Sequence, residues 1–227
     1  VVENSKPSDC VNEGSYDNVV YCTVCGEELS RKTVTVSALG HTEGKPVVHC
    51  IGHTHIDVEW KWARNQTREK IQRSFSTAKA LMDDYPEYLF TLTQPELYRY
   101  LKEEAPEKYE QLKALVKEGR WEPEGAMYVE SDCNLISGES FVRQILGGRE
   151  YFLKKFGKAP KTAVNFDSFG HTRGLVQILK KCGQDSYICC RPMPELLDLP
   201  DNVINWRGYD GSTVKAVRGN QRRLYTT

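Results

Sequence analysis

Val47-Val-His-Cys-Ile-Gly-His-Thr-His-Ile-Asp-Val-Glu-Trp60 is the stretch on which the fold of this chain turns. From Pro46 to Gly52 it is a short, nearly continuous apolar run, as expected of a strand buried on both faces of a parallel sheet. It then turns abruptly polar, with two imidazoles and a carboxylate within five residues. A helix follows, because Ile71, Phe75, Ala78, Leu81 and Met82 recur at helical spacing and form one apolar stripe. Tyr88–Thr93 reads as a second strand, and Pro95 suits the first turn of the next helix, where its missing N–H costs nothing. Pro106–Lys117 predicts a further helix stopped by Gly119. Ser137 is placed to cap a helix that carries Phe141, Ile145 and Phe152 and ends at Gly157. Thr162–Phe166 and Ser186–Cys190 read as strands on either side of a helix marked by Leu175, Ile178, Leu179 and Cys182. Strands alternating with helices of these lengths predict an α/β fold: a mostly parallel sheet or distorted barrel with surrounding helices.

In such folds, sites gather at the carboxyl ends of the strands. That rule selects His55 and Asp57 after the first strand, Gln94 after the second, and Asp167 after Thr162–Phe166. An imidazole and a carboxylate two residues apart are the mixed nitrogen and oxygen donors that a borderline cation such as zinc takes. Asp167, between Phe166 and Phe169, is partly screened from water and becomes a better nucleophile beside a cation. Trp60 offers a flat apolar face for a sugar ring, or else serves as a core aromatic. The carboxylates of the Trp121–Ser140 stretch (Glu122, Glu124, Glu130, Asp132, Glu139) suggest recognition of hydroxyls, against the plainer reading of a solvated acidic loop.

Composition changes near residue 46. Residues 1–46 are polar and turn-rich, with strand candidates at Asn18–Thr23 and Arg31–Ser37 and too little apolar content for an independent core. Cys22-Thr-Val-Cys25 is a single C-x-x-C knuckle that Cys10 and His41 could complete as a zinc ribbon. The alternative is a small β-module with free thiols, or one unit of a repeat array, similar to the cysteine-bearing repeats of some bacterial surface proteins. The expected domains are thus 1–46, a small zinc-ribbon-like module, and 47–227, a catalytic domain.

Of the 227 residues, 39% are hydrophobic and 27% charged, ordinary for a globular protein that buries a core. Lysine plus arginine balances aspartate plus glutamate at 31 each, so bulk charge gives no case for nucleic acid or an anionic membrane. No apolar run approaches the roughly 20 residues that span a bilayer. Cys133, Cys182 and Cys189-Cys190 sit in apolar contexts typical of reduced, buried thiols. They favour a cytoplasmic setting for the catalytic part; a genuine surface repeat at residues 1–46 would instead favour the cell surface.

Three motifs in order then resemble the N-terminal catalytic domain of the family 38 glycoside hydrolases, the α-mannosidases. They are Gly52-His-Thr-His-Ile-Asp-Val-Glu-Trp60, Glu122-Pro-Glu-Gly-Ala-Met-Tyr-Val-Glu-Ser-Asp-Cys-Asn-Leu-Ile-Ser-Gly-Glu-Ser140 and Asp167-Ser-Phe-Gly-His171. The resemblance implies a retaining, metal-assisted hydrolase of terminal α-mannosides in glycans, often homo-oligomeric. It makes His55, Asp57 and Asp167 ligands of one divalent metal, usually zinc, and Asp167 also the nucleophile. Trp60, Gln94 and Asp132 are expected on the substrate side. The family's further metal-binding histidine and its general acid/base aspartate have no counterpart here. His171 belongs to the nucleophile motif, and none of Asp185, Asp198, Asp201 and Asp210 lies in an acid motif. The expectation is therefore an incomplete catalytic domain behind an unrelated module, through fusion or gene assembly. Two other readings are a metal amidohydrolase, in which His53-Thr-His55 is the H-x-H pair, and an inactive fragment fused to a zinc-ribbon repeat.

Overall fold

The computed structural model describes residues 1–9, 11–38, 40 and 51–219. It divides into two compact units, Val1–His49 and Cys50–Thr227.

The first unit is an antiparallel sheet of β1 (Val2–Lys6), β2 (Gly14–Tyr21) and β3 (Glu28–Val36), in the order β1-β2-β3. Both expected strands exist, but β2 starts at Gly14 and β3 at Glu28, earlier than apolar alternation suggests. Polar residues are drawn into the ladder because charge pairing substitutes for a core. Val19 is the one buried hydrophobic residue among those described in this unit. Arg31 is the hub, with its guanidinium 2.9 Å from Asp17, 3.1 Å from Glu3 and 2.7 Å from Glu28. Hydrogen bonds from Thr33, Asn4 and Arg31 hold the Asp17 carboxyl down at about 2. Cys22 and Cys25 lie in the β2–β3 turn, where the Cys22 N–H donates to Glu27 O and the left-handed Gly26 (φ 76°) donates to Cys22 O. Cys10 and His41 lie outside the described residues, so a zinc ribbon is not displayed.

In the second unit, β4 (Gly52–His53), β5 (Phe90–Leu92) and β6 (Trp121–Pro123) form a parallel three-stranded sheet. Helices α1 (Arg64–Asp84), α2 (Pro95–Glu104) and α3 (Pro106–Lys117) connect these strands. The expected stripe of α1 is buried at Ile71, Phe75, Ala78 and Met82, joined by Thr67, while Leu81 lies at its exposed edge. The first strand departs from expectation: only Gly52–His53 pair, Ile51 is 63% exposed, and Val47, Val48 and Cys50 lie outside the described residues.

Helix α4 (Gly138–Phe156) leads to a second sheet, β7-β8-β10-β9, made of β7 (Thr162–Val164), β8 (Ser186–Cys189), β9 (Val203–Arg207) and β10 (Thr213–Arg218), with α5 (Leu175–Lys181) between β7 and β8. Pairings β7–β8 and β8–β10 are parallel, but β9 and β10 form an antiparallel hairpin, so the fold is mixed α/β. The apolar pattern does not mark this hairpin; its turn, Gly208–Ser212, is closed by the Gly208 N–H to Ser212 O and by left-handed Gly211. Ser137 caps α4 as expected, its hydroxyl accepting from the Ser140 N–H, and left-handed Gly157 ends it.

Two hydrophobic cores result, and α4 serves both. Phe152 packs with Tyr98, Phe75 and Trp121 against the first sheet, and Phe141 and Ile145 pack with Leu175, Leu179 and Tyr187 against the second. Midway along α4, Gly148 meets the incoming 126–128 segment, and a β-carbon there would lie 2.0 Å from the Ala126 carbonyl oxygen. Gln144 fastens the same segment: its carbonyl accepts from the Tyr128 N–H and its side-chain oxygen from the Val129 N–H. The next residue is Glu130.

Glu124, just past β6, is half-buried, and its enclosed Oε2 has no hydrogen-bond partner among the described residues. Burial, aided by nearby Glu122 and Asp185, pushes it up to about 7. The folded protein keeps a proton that the unfolded chain gives up in the ordinary carboxylate range. The contribution of Glu124 to stability is therefore expected to be full at low pH and to be lost as pH rises from about 4.5 to about 7. Chemical denaturation at a series of pH values should show that slope, and Glu124→Gln should flatten it.

Candidate active site

The segments leaving the carboxyl ends of β4, β6, β7 and β8 line one cavity of about 770 Å³, with His55, Asp57, Trp60, Glu130, Asp132, Asp167 and Arg191 among its walls. The chain turns polar there because the strands are only two to four residues long. The loop leaving each strand must therefore satisfy its backbone through side chains.

His55 Nε2 lies 3.1 Å from Asp57 Oδ1, and on the other ring edge Nδ1 lies 3.5 Å from Glu130 Oε2. Glu130 is held from two more directions: the Thr93 hydroxyl donates at 2.8 Å and the Phe166 N–H at 2.9 Å. One buried carboxylate thus gathers residues just past β4, β5 and β7. Burial alone would raise Glu130, but the facing His55 imidazole, backed by hydrogen bonds from Phe166 and Thr93, holds it below the ordinary carboxylate value. Burial likewise works against a charge on His55, and Glu130 followed by Asp57 outweighs it, lifting the imidazole to about 9.

Gln94 comes off β5 at φ 63°, a left-handed conformation unusual for a residue with a side chain and costing about 1–3 kcal/mol. Its buried amide accounts for the cost: Nε2 donates to Ile56 O at 3.0 Å and Oε1 accepts from the Glu130 N–H at 3.2 Å. Gln94 is thus a clamp between the β4 loop and the Glu130 loop, and it is not among the residues lining the cavity.

Asp167 faces the cavity, its Oδ1 accepting from Arg191 Nε at 2.6 Å, while the Arg191 guanidinium lies 4.6 Å from the Phe169 ring. Trp60 stands on the rim, 65% exposed, with its ring edge-on to Trp62. Asp132 also lines the wall, though its Oδ1 accepts from the Asn134 N–H.

Residues 45–222 match the family model described as "Glycosyl hydrolases family 38 N-terminal domain". The chain belongs to glycosyl hydrolase family 38. It is 40% identical over 175 residues to "Alpha-mannosidase G" of Dictyostelium discoideum, covering 77% of this chain and 16% of that protein. To "Alpha-mannosidase 2C1" of Mus musculus it is 35% identical over 173 residues, covering 76% of this chain and 17% of the relative. The chain thus spans about one sixth of the length of these curated relatives. Among solved structures, an alpha-mannosidase from Enterococcus faecalis V583 superposes with a TM-score of 0.66 at 23% identity, over 74% of this chain and 19% of that one. A 4-alpha-glucanotransferase from Thermococcus litoralis gives 0.60 at 19% identity, over 77% and 28%, a likeness of fold.

Of the residues the family resemblance singled out, His55, Asp57, Asp167, Trp60 and Asp132 share the cavity. In the sequence Glu130 stands out only as one acid of a loop, and Arg191 not at all. Arg191 lies two residues beyond β8, so the strand-end rule applied once more would have found it. For a divalent cation, His55 Nε2 and Asp57 Oδ1 fit as neighbouring donors: 3.1 Å is close to the edge of a tetrahedron with bonds of about 2.0–2.2 Å. The donor set is partial, because no three His, Cys, Asp or Glu among the described residues gather at metal-holding distances. His53 turns the other way, its Nδ1 on Thr91 O and its ring tilted against Phe166, so His53 and His55 line different cavities. His171 is taken up by Tyr187 and the Arg191 carbonyl. Neither supports the imidazole cluster of an amidohydrolase.

Proposed function

We propose that this chain carries the nucleophile and metal side of a retaining α-mannosidase site, acting on terminal α-mannosides of glycans. The observation that carries the reading is the single cavity into which Asp167, the His55–Asp57 pair and Trp60 all face. Trp60 offers its ring face to the sugar. Asp167, its Oδ1 fixed by Arg191, attacks the anomeric carbon; the bond to the aglycone oxygen breaks and the electron pair leaves with that oxygen. Water then attacks the same carbon and gives up a proton to solvent, releasing the sugar with its configuration retained and regenerating the carboxylate. The His55–Asp57 pair, with Asp167 recruited as a third donor from across the cavity, would hold a divalent cation, zinc by preference, which when bound orients and polarises sugar hydroxyls. No residue is assigned as general acid, so the test uses a substrate that needs none. Dinitrophenyl α-mannoside, with its stable leaving phenolate, should be cleaved by this chain with zinc present, and proton NMR should show the α-anomer forming first. A first-formed β-anomer would overturn the retaining assignment. Asp57→Ala should lose bound zinc by elemental analysis, and unchanged metal content would remove Asp57 from the site.

Described helices include none long and apolar enough to cross a membrane. Buried free thiols at Cys133, Cys182, Cys189 and Cys190 support a reducing setting for the second unit. For the first unit, we infer a soft-metal knuckle at Cys22 and Cys25, with Cys10 and His41 as the remaining candidates. It rests on the tight turn that keeps Cys22 and Cys25 together, closed by the Cys22 N–H on Glu27 O at 2.7 Å and the Gly26 N–H on Cys22 O at 3.0 Å; the backbone N–H groups of Cys25 and Val24 also lower the Cys22 thiol. Cobalt added to the reduced chain should give a thiolate charge-transfer band that Cys22→Ser abolishes; a colourless chain would leave a β-module with free thiols.

A further inference from the structure

The Glu130 side chain is 5% exposed, against 35% for Asp57 and 31% for Asp167, yet the proposed reaction gives it neither to metal nor to sugar. Its contacts have a direction. Oε1 accepts from the Thr93 hydroxyl at 2.8 Å, while Oε2 accepts from the Phe166 N–H at 2.9 Å and faces His55 Nδ1 at 3.5 Å. The backbone behind it is pinned as well, because its N–H donates to Gln94 Oε1 and the preceding Val129 N–H donates to Gln144. The carboxylate is therefore immobile, and the His55 ring that faces it has one edge spoken for. The other edge, Nε2, lies beside Asp57 Oδ1 at 3.1 Å on the cavity side. An imidazole whose Nδ1 edge faces a fixed carboxylate presents Nε2 as the donor in one orientation, the device by which carboxylates set histidines for cations.

We propose that Glu130 is the positioning residue for His55: it orders the Nδ1 edge of the ring so that Nε2 is presented with Asp57 as a pre-formed pair of metal donors. The proposal rests on the reading of His55 and Asp57 as metal ligands. It also explains the strain at Gln94. That residue's left-handed backbone lets one amide tie Ile56, next to His55, to Glu130, so the carboxylate and the ring it orients are held by the same clamp.

The test uses the whole chain in four forms: unaltered, Glu130→Gln, Thr93→Val and Asp57→Ala. Zinc affinity is measured by competition with a chromophoric chelator, alongside thermal unfolding and a histidine-selective NMR spectrum of the metal-free chain. Glu130→Gln keeps the shape and removes the charge, and should weaken zinc binding about 10- to 100-fold. It should also cost the His55 Nδ1–H signal its protection from solvent exchange. Thr93→Val removes another hydrogen bond to the same carboxylate but leaves its charge facing His55, so it should lower Tm while affinity stays within about threefold. A Glu130→Gln chain that binds zinc as tightly as the parent, with the His55 signal equally protected, would overturn the proposal. So would affinities that simply follow Tm across the Glu130 and Thr93 variants. If the parent and Asp57→Ala bind zinc equally, the metal reading itself fails. The NMR signal then decides alone whether Glu130 orders the ring: protection lost in Glu130→Gln supports it, and protection kept overturns it.

Discussion

Asp167→Ala is expected to cut release of dinitrophenolate from the activated α-mannoside by about four orders of magnitude or more, down towards the uncatalysed rate. The leaving group departs without protonation, so the rate reads only what lies on the Asp167 side of the sugar. Mass spectrometry after rapid quenching should find one hexosyl unit on the peptide containing Asp167 in the parent chain and none in the variant. Arg191→Gln removes the charged partner from Oδ1 while leaving the carboxylate, and should cost less, on the order of 10- to 100-fold. Near-normal release from the Asp167 variant would place the nucleophile elsewhere in the cavity.

A second pair of substitutions, one residue apart, should have opposite signs. At Gly148 an added methyl would sit 2.0 Å from the Ala126 carbonyl oxygen and 2.9 Å from the Tyr128 nitrogen, all backbone that cannot swing aside. Either the 126–128 segment lifts off α4 or the helix bends, and overpacking of this kind costs about 1–3 kcal/mol or more. Gly147 has only Tyr128 Cδ2 at 3.9 Å, ordinary contact, so its replacement by alanine should gain about 0.5–1 kcal/mol of helix stability. Thermal unfolding of Gly147→Ala and Gly148→Ala should bracket the parent, and matching shifts would refute the close approach. The segment displaced by Gly148→Ala runs directly into Glu130, so zinc affinity should fall with it even where the chain remains folded.

How far the sequence discloses all this differs from element to element. Helices α3 and α4 were legible to the residue at their starts, because Pro106 and Ser137 act within one turn of the backbone. Strand ends brought His55, Asp57 and Asp167 to one place for a topological reason that holds whatever the side chains do. Gln94 shows the limit. The strand-end rule found the position, but its left-handed φ turns the amide into the protein instead of the cavity, and that depends on partners 38 and 36 residues away. Glu130 was hidden for a related reason: in a loop rich in acids, only burial distinguishes the carboxylate that organises from those that are solvated. In the first unit, β1 and the early starts of β2 and β3 escaped notice because Arg31 draws charged residues into a sheet that apolar alternation does not mark.

Helix α4 has a thermodynamic corollary. Among the described residues no hydrogen-bonded ladder joins the β4-β5-β6 sheet to the β7-β8-β10-β9 sheet, so each could be taken for an independent folding unit. Yet Phe152 is lodged in one core and Phe141 and Ile145 in the other, on the same rigid rod. Peeling α4 from either sheet drags buried side chains out of the other, so partial melting of this region is penalised twice. The two sheets should accordingly melt as a single cooperative transition, and the cavity at their junction should persist until both are lost.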